Sequence, residues 1–101
     1  VCEELVRLAD GSGIRPLPVY GGTAMQPQLD ALAQGVHAVV GTPGRILDHL
    51  RRRSLNLSKV RCVVLDECDE MLSMGFLEDI RAILEACPVE RQTCLFSATL
   101  P

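Results

Sequence analysis

Tryptophan is absent from the 101 residues, and one tyrosine and two phenylalanines are the only aromatics. So few rings exclude a surface that works by stacking successive bases on aromatic side chains. An excess of positive charge is missing too: ten Lys and Arg against thirteen Asp and Glu leave a net charge of −3. That balance argues against a nucleic-acid binder relying on bulk charge. It leaves room for one that grips a strand through backbone amides and one or two arginines. No apolar run approaches the ~20 residues of a membrane span, and no signal-peptide pattern opens the chain. The five cysteines, Cys2, Cys62, Cys68, Cys87 and Cys94, contain no C-x-x-C pair, so zinc-ligand spacing is missing. Their odd number, and the apolar runs around Cys62 and Cys94, suit a reducing compartment better than a disulfide framework. A cytoplasmic location is the expectation.

What is present is enough apolar residue, 48%, for a packed core in one domain or part of one. Val1 opens the chain without a Met inside an amphipathic pattern, and Pro101 follows closely on a strand and its turn, so a fragment is expected. Helix-like and strand-like runs alternate. Residues Val1 to Ala9 read as a helix ended by Asp10-Gly11-Ser12-Gly13, and Ile14 to Tyr20 as a strand that Pro16 and Pro18 confine to an edge. A helix from Ala24 to Gln34 stops at Gly35, a short buried strand covers Ala38 to Val40, and a further helix runs through Arg45, Ile46, Leu47 and Leu50. Val60 to Leu65 is continuously apolar, as a strand covered on both faces would be. Phe76, Ile80, Ile83, Leu84 and Cys87 mark one face of a helix closed by Pro88, and Thr93 to Phe96 is the last strand. Such alternation implies an α/β fold with a parallel sheet. Arg51, Arg52 and Arg53 read as solvated cations that complement a helix C-terminus.

In an open parallel sheet, ligands bind beyond the carboxyl ends of the strands. Each strand here is followed by a polar or glycine-rich cluster: Gly21-Gly22-Thr23, Gly41-Thr42-Pro43-Gly44-Arg45, Asp66-Glu67-Cys68-Asp69, and Ser97-Ala98-Thr99. An apolar strand ending in Asp-Glu is what a nucleotide hydrolase needs. Asp66 can hold Mg²⁺ directly or through its waters, and Glu67 can orient or deprotonate the attacking water. The bland alternative is an acidic helix N-terminus. Thr42 suits a helix N-cap and Pro43 the first helical position, and the free N–H groups of that turn form an anion site. Gly44 permits close approach of a ligand, and Arg45 can add a charge-assisted bond to a phosphate. A merely well-capped helix would explain Thr42 and Pro43 but not Gly44 or Arg45. Gly21-Gly22 taken alone is a turn. The hydroxyls of Ser97 and Thr99 can bond a neighbouring carboxylate. His37 and His49 have no clustered partners and read as structural or solvent-facing.

Together these clusters resemble the motif series of the DEAD-box RNA helicases of superfamily 2. Gly21-Gly22 matches the family's GG element, Thr42-Pro43-Gly44-Arg45 its motif Ib, Asp66-Glu67-Cys68-Asp69 its motif II, and Ser97-Ala98-Thr99 its motif III, in order and over nearly the whole chain. Met71 to Phe76 also reads like the usual continuation of motif II. The resemblance implies a RecA-like (P-loop NTPase) α/β domain with helices on both faces of a parallel sheet. Residues 1–101 would cover it from after motif Ia through motif III. It further implies that Asp66 and Glu67 serve Mg²⁺, ATP and hydrolysis, and that Asp69, Ser97 and Thr99 couple ATP to RNA. Gly21, Gly22, Thr42, Pro43, Gly44 and Arg45 would lie along the sugar-phosphate backbone of RNA, a mode that positions a strand without reading bases.

Two departures stand out. Cys68 occupies the position of the family's usual Ala, one small residue for another. The G-x-x-x-x-G-K-[ST] phosphate loop is nowhere in the chain, nor are the Q motif, motif Ia or a second RecA-like domain. The piece alone is therefore expected neither to hydrolyse ATP nor to unwind RNA, and a sheet edge left without its P-loop strand predicts poor solubility. A superfamily 2 motor on DNA and a non-catalytic RNA clamp are the alternatives; retention of both Asp66 and Glu67 speaks against the clamp.

Overall fold

Short apolar runs fenced by glycine and proline set where the elements begin and end. The computed structural model describes residue 11 and residues 13–96; the expected first helix, Val1 to Ala9, lies outside them, as do Ser97 and Thr99. The chain forms two units, Val1–Leu55 and Asn56–Pro101.

In the first unit β1 (Pro16–Val19) pairs in parallel with β2 (Ala38–Gly41), in the register Pro16↔Ala38 to Val19↔Gly41. Proline brings no N–H to a ladder, and β1 in its two-stranded sheet is an edge, as its prolines require. Between the strands runs α1 (Met25–Gln34), ended by Gly35 at φ 96°, whose N–H reaches the carbonyls of Ala31 and Leu32. Helix α2 (Pro43–Arg51) follows β2 directly, with Pro43 in its first turn and Arg51 at its last residue. Arg51, Arg52 and Arg53 are exposed, and Arg52 pairs with Asp48 one turn back at 2.9 Å. Solvent screens that exposed i,i+4 pair, so it adds little to stability. Val19 is fully buried, with Leu47 and Leu55 also in this core; burying a valine contributes roughly 1.5–3 kcal/mol. Gly41 lets β2 close against it: a Cβ at position 41 would fall on the carbonyl and Cγ2 of Val19.

In the second unit β3 (Cys62–Leu65) pairs in parallel with β4 (Gln92–Leu95). Two helices lie between them in sequence, α3 (Cys68–Ser73) and α4 (Leu77–Glu85), and Ile80 and Cys87 are buried. The parallel pairing and alternation agree with expectation. By hydrogen bonding the strands pair as a two-stranded sheet in each unit. Strand β3, however, is not covered on both faces: Val64 is 55% exposed and Cys62 is at the surface, and on β4 Leu95 is 54% exposed. An apolar run identifies residues suited to burial, but burial itself needs a layer on each side, and a two-stranded ribbon here has one side open. Cys62, Cys68, Cys87 and Cys94 are all free thiols. Among the described residues no helix is long and apolar enough to cross a membrane.

Candidate functional site

Because β1 and β2 run in parallel with Val19 opposite Gly41, the chain leaves both strands at the same end. The glycine turn and the start of α2 therefore meet. Gly22 sits at φ 81°, a conformation that favours glycine, and the Thr23 hydroxyl closes the turn by donating to the Tyr20 carbonyl at 2.7 Å. The Gly21 N–H points to the Thr42 hydroxyl at 3.4 Å. Thr42 holds the expected N-cap position, but its side chain does not cap α2; it accepts from the glycine turn instead. With no N–H on Pro43 and no side-chain cap, the first-turn amides of Gly44 and Arg45 remain for an anion. Gly44 is exposed, and a Cβ there would meet nothing within 4 Å. Gly21, Gly22, Thr42, Pro43 and Gly44 are thus brought together.

Arg45 is placed differently from expectation. Its guanidinium is turned back onto its own chain, donating from Nη2 to the Thr23 carbonyl at 3.2 Å and from Nη1 to Gln28 Oε1 at 3.3 Å. Gln28, only 5% exposed, uses its amide in full. Its Oε1 also accepts from His49 Nε2 at 2.7 Å, while its Nε2 donates to Thr23 Oγ1 at 2.9 Å and faces the Tyr20 carbonyl at 3.4 Å. His49 is fully buried, its Nδ1 lying 2.8 Å from the Ser54 hydroxyl. Burial first, and the Arg45 charge second, hold its pKa below the ordinary value. The ring is therefore neutral, with its proton on Nε2 because Gln28 Oε1 can only accept. Sequence reasoning missed Gln28 and read His49 as structural or solvent-facing with no clustered partners; it is buried and has two. The available signal was a polar residue on the apolar stripe of each helix: Gln28 lies beside Met25 and Leu32, and His49 one turn from Ile46. His37 is exposed, and its Nδ1 accepts from the Arg15 backbone at 2.9 Å.

In the second unit the strand end carries the acids. Asp66 Oδ1 accepts from the Glu67 N–H at 2.9 Å. Glu67 itself adopts φ 56° and ψ 44°, the left-handed region, which costs a non-glycine residue roughly 1–2 kcal/mol. That single residue swings the chain from β3 into α3. The new helix start is pinned by the Cys68 N–H on the Phe96 carbonyl at 3.0 Å, and Phe96 in turn donates to Leu65 at 2.9 Å. The Cys68 thiol points to the Leu65 carbonyl at 3.2 Å. Glu67 has its pKa raised, first by the charge and shared hydrogen bond of Glu70, then by Asp66, with a smaller contribution from Asp69. Such crowding of like charges is what a cation relieves. Among the described residues no three His, Cys, Asp or Glu side chains form a metal cage. Mg²⁺ takes only one or two carboxylates and keeps its remaining waters, so it needs no such cage. Asp66 is exposed, and one of its oxygens accepts from a backbone amide. The expected approach of Ser97 and Thr99 to Asp69 falls outside the described residues.

Compared with known proteins, residues 1–101 match the DEAD/DEAH box helicase family. The chain is 55% identical over its whole length to a DEAD-box ATP-dependent RNA helicase CshA of Geobacillus kaustophilus, covering 22% of that protein. It is 52% identical over 99 residues to the CshA of Streptococcus pneumoniae serotype 4, covering 98% of this chain and 19% of that protein. The chain thus spans about a fifth of the length of these curated relatives. Its fold matches the crystal structure of a DEAD box protein from the hyperthermophile Methanococcus jannaschii with a TM-score of 0.83 and 44% identity, over 100% of this chain and 30% of that one.

Proposed function

The chain belongs to the DEAD/DEAH box helicase family, and we propose that the protein containing it uses ATP hydrolysis to bind and remodel RNA. The observation that carries an enzymatic reading over a passive one is Glu67, an exposed carboxylate in a left-handed backbone directly after the strand-end Asp66. Strained, non-glycine backbone persists where surrounding structure holds it, and it clusters at sites of chemistry. A clamp has no use for such an acid.

In this reading Asp66 would hold Mg²⁺, which would supply positive charge against the phosphates of ATP. Glu67 orients the attacking water and accepts its proton. Asp69, Ser97 and Thr99 couple the nucleotide to RNA. The glycine turn at Gly21 and Gly22, with Thr42 and Pro43, lines the path of RNA phosphates, the first-turn amides of Gly44 and Arg45 donate to them, and Arg45 supports that surface with its charge. Such contacts carry little sequence information. A second RecA-like domain elsewhere in the protein completes the ATP site, and the free thiols suit a cytoplasmic location.

The test is ATP hydrolysis by the full-length protein with single-stranded RNA or with DNA of the same sequence. Stimulation by RNA and not by DNA is expected. Equal stimulation would indicate a DNA motor, and tight RNA binding without hydrolysis would indicate a clamp.

A further inference from the structure

We propose that Gln28 and His49 are positioning residues for RNA binding, acting through Arg45 to set the gap between the glycine turn and the first turn of α2. The proposal rests on the reading that those two turns receive the RNA backbone. Three separate pieces of chain meet at the Gln28 amide. Oε1 takes hydrogen bonds from Arg45 and His49, both on α2, and Nε2 gives to Thr23 and Tyr20 in the turn, while Gln28 itself belongs to α1. Only one orientation of the amide suits this arrangement, because both groups at Oε1 donate and both groups at Nε2 accept. Among the described residues no buried side-chain nitrogen or oxygen lacks a partner.

Arg45 spans the gap directly, from α2 to the Thr23 carbonyl. It therefore serves as a strut in the free chain, and its charge reaches a phosphate at the turn without a side-chain contact. Two sets of backbone donors on different segments bind one phosphodiester well only at the right separation. Direct linkage between turn and helix consists of the longer Gly21 to Thr42 bond at 3.4 Å and the Arg45 strut, so the remaining constraint comes through Gln28 and, behind it, His49 anchored by Ser54.

The test uses the full-length protein and RNA-stimulated ATP hydrolysis, measured as RNA half-saturation and as maximal turnover. Gln28→Met fills the same space without polar atoms, and His49→Phe does likewise. Each is expected to raise the RNA half-saturation about tenfold while maximal turnover at saturating RNA is kept within about twofold. His49→Gln places an amide N–H near the position of Nε2 and is expected to stay within about twofold of the unsubstituted protein in both quantities. A purely structural role predicts a lower melting temperature with unchanged RNA half-saturation, and that result would overturn the proposal. So would equal impairment by His49→Gln and His49→Phe. Should the apolar variants not fold, ring nitrogen resonances of His49 in the unsubstituted protein decide: RNA is expected to shift them, and no shift overturns the idea. If the unsubstituted protein neither binds RNA nor responds to it, the functional reading fails and this proposal with it; RNA stimulation that the variants leave unaltered defeats the proposal alone.

Discussion

Around Gln28 each polar group meets a partner of its own chain, whereas around Glu67 carboxylates crowd against one another. In the first unit Gln28 and His49 are buried, so their polar atoms must be satisfied internally, and the result is a turn and a helix start held in place before any ligand arrives. In the second Asp66, Glu67 and Glu70 are exposed, water screens their repulsion, and a backbone in the left-handed region holds Glu67 at the strand tip. In the proposed reading the first region is a preformed cradle and the second a half-site whose charge balance a cation would complete. RNA contact and ATP chemistry would then place opposite demands on two stretches of one chain.

The strongest way to break the cradle is through its sheet. Gly41→Ala drives a Cβ into Val19 and is expected to cost about 3 kcal/mol, seen as a lower denaturant midpoint of the full-length protein. Gly44→Ala sharpens the comparison, because its Cβ meets open space. Stability is expected to change by less than about 0.5 kcal/mol, while RNA binding, read by fluorescence titration, weakens roughly tenfold. A stable variant with unaltered RNA affinity would remove Gly44 from the RNA surface.

A smaller effect separates the two regions by pH. His49 has its pKa lowered below 6.5 in the folded chain. Below that value the unfolded chain takes up a proton that the folded one refuses, so stability present at neutral pH is lost as pH falls through the unfolded pKa. His49→Gln is expected to flatten this loss in denaturation curves recorded between about pH 7.5 and 5.5. The smallest effect belongs to Cys68→Ala: among the described residues the thiol points to the Leu65 carbonyl, and ATP turnover is expected to stay within about threefold, roughly 0.7 kcal/mol.

Much of this was legible in the residues. Gly35 and Pro43 mark real helix boundaries, and the clusters after the first two strands do meet. What escaped had physical causes. Thr42 looks like a capping residue by type, yet a hydroxyl can serve whichever amide is nearer, here that of Gly21. Arg45 reads as an outward cation because its inward partners, Thr23 and Gln28, lie 22 and 17 residues away in sequence. The helix after Glu67 entered the sequence reading only as the bland alternative of an acidic helix N-terminus, and both descriptions hold: Asp69 and Glu70 lie in its first turn, and its start depends on one residue in the left-handed region. Val60 to Leu65 announced a fully covered strand, but coverage depends on layers that an apolar pattern alone does not supply.

The central claim is that the two regions divide the work, and Glu67→Gln tests it most directly when ATP turnover and RNA affinity of the full-length protein are measured side by side. The substitution removes the water-handling carboxylate and one of the crowded charges without touching the cradle. Turnover is expected to fall by about 100-fold or more, with RNA affinity kept within about threefold. Surviving turnover, or a parallel collapse of RNA binding, would contradict the account.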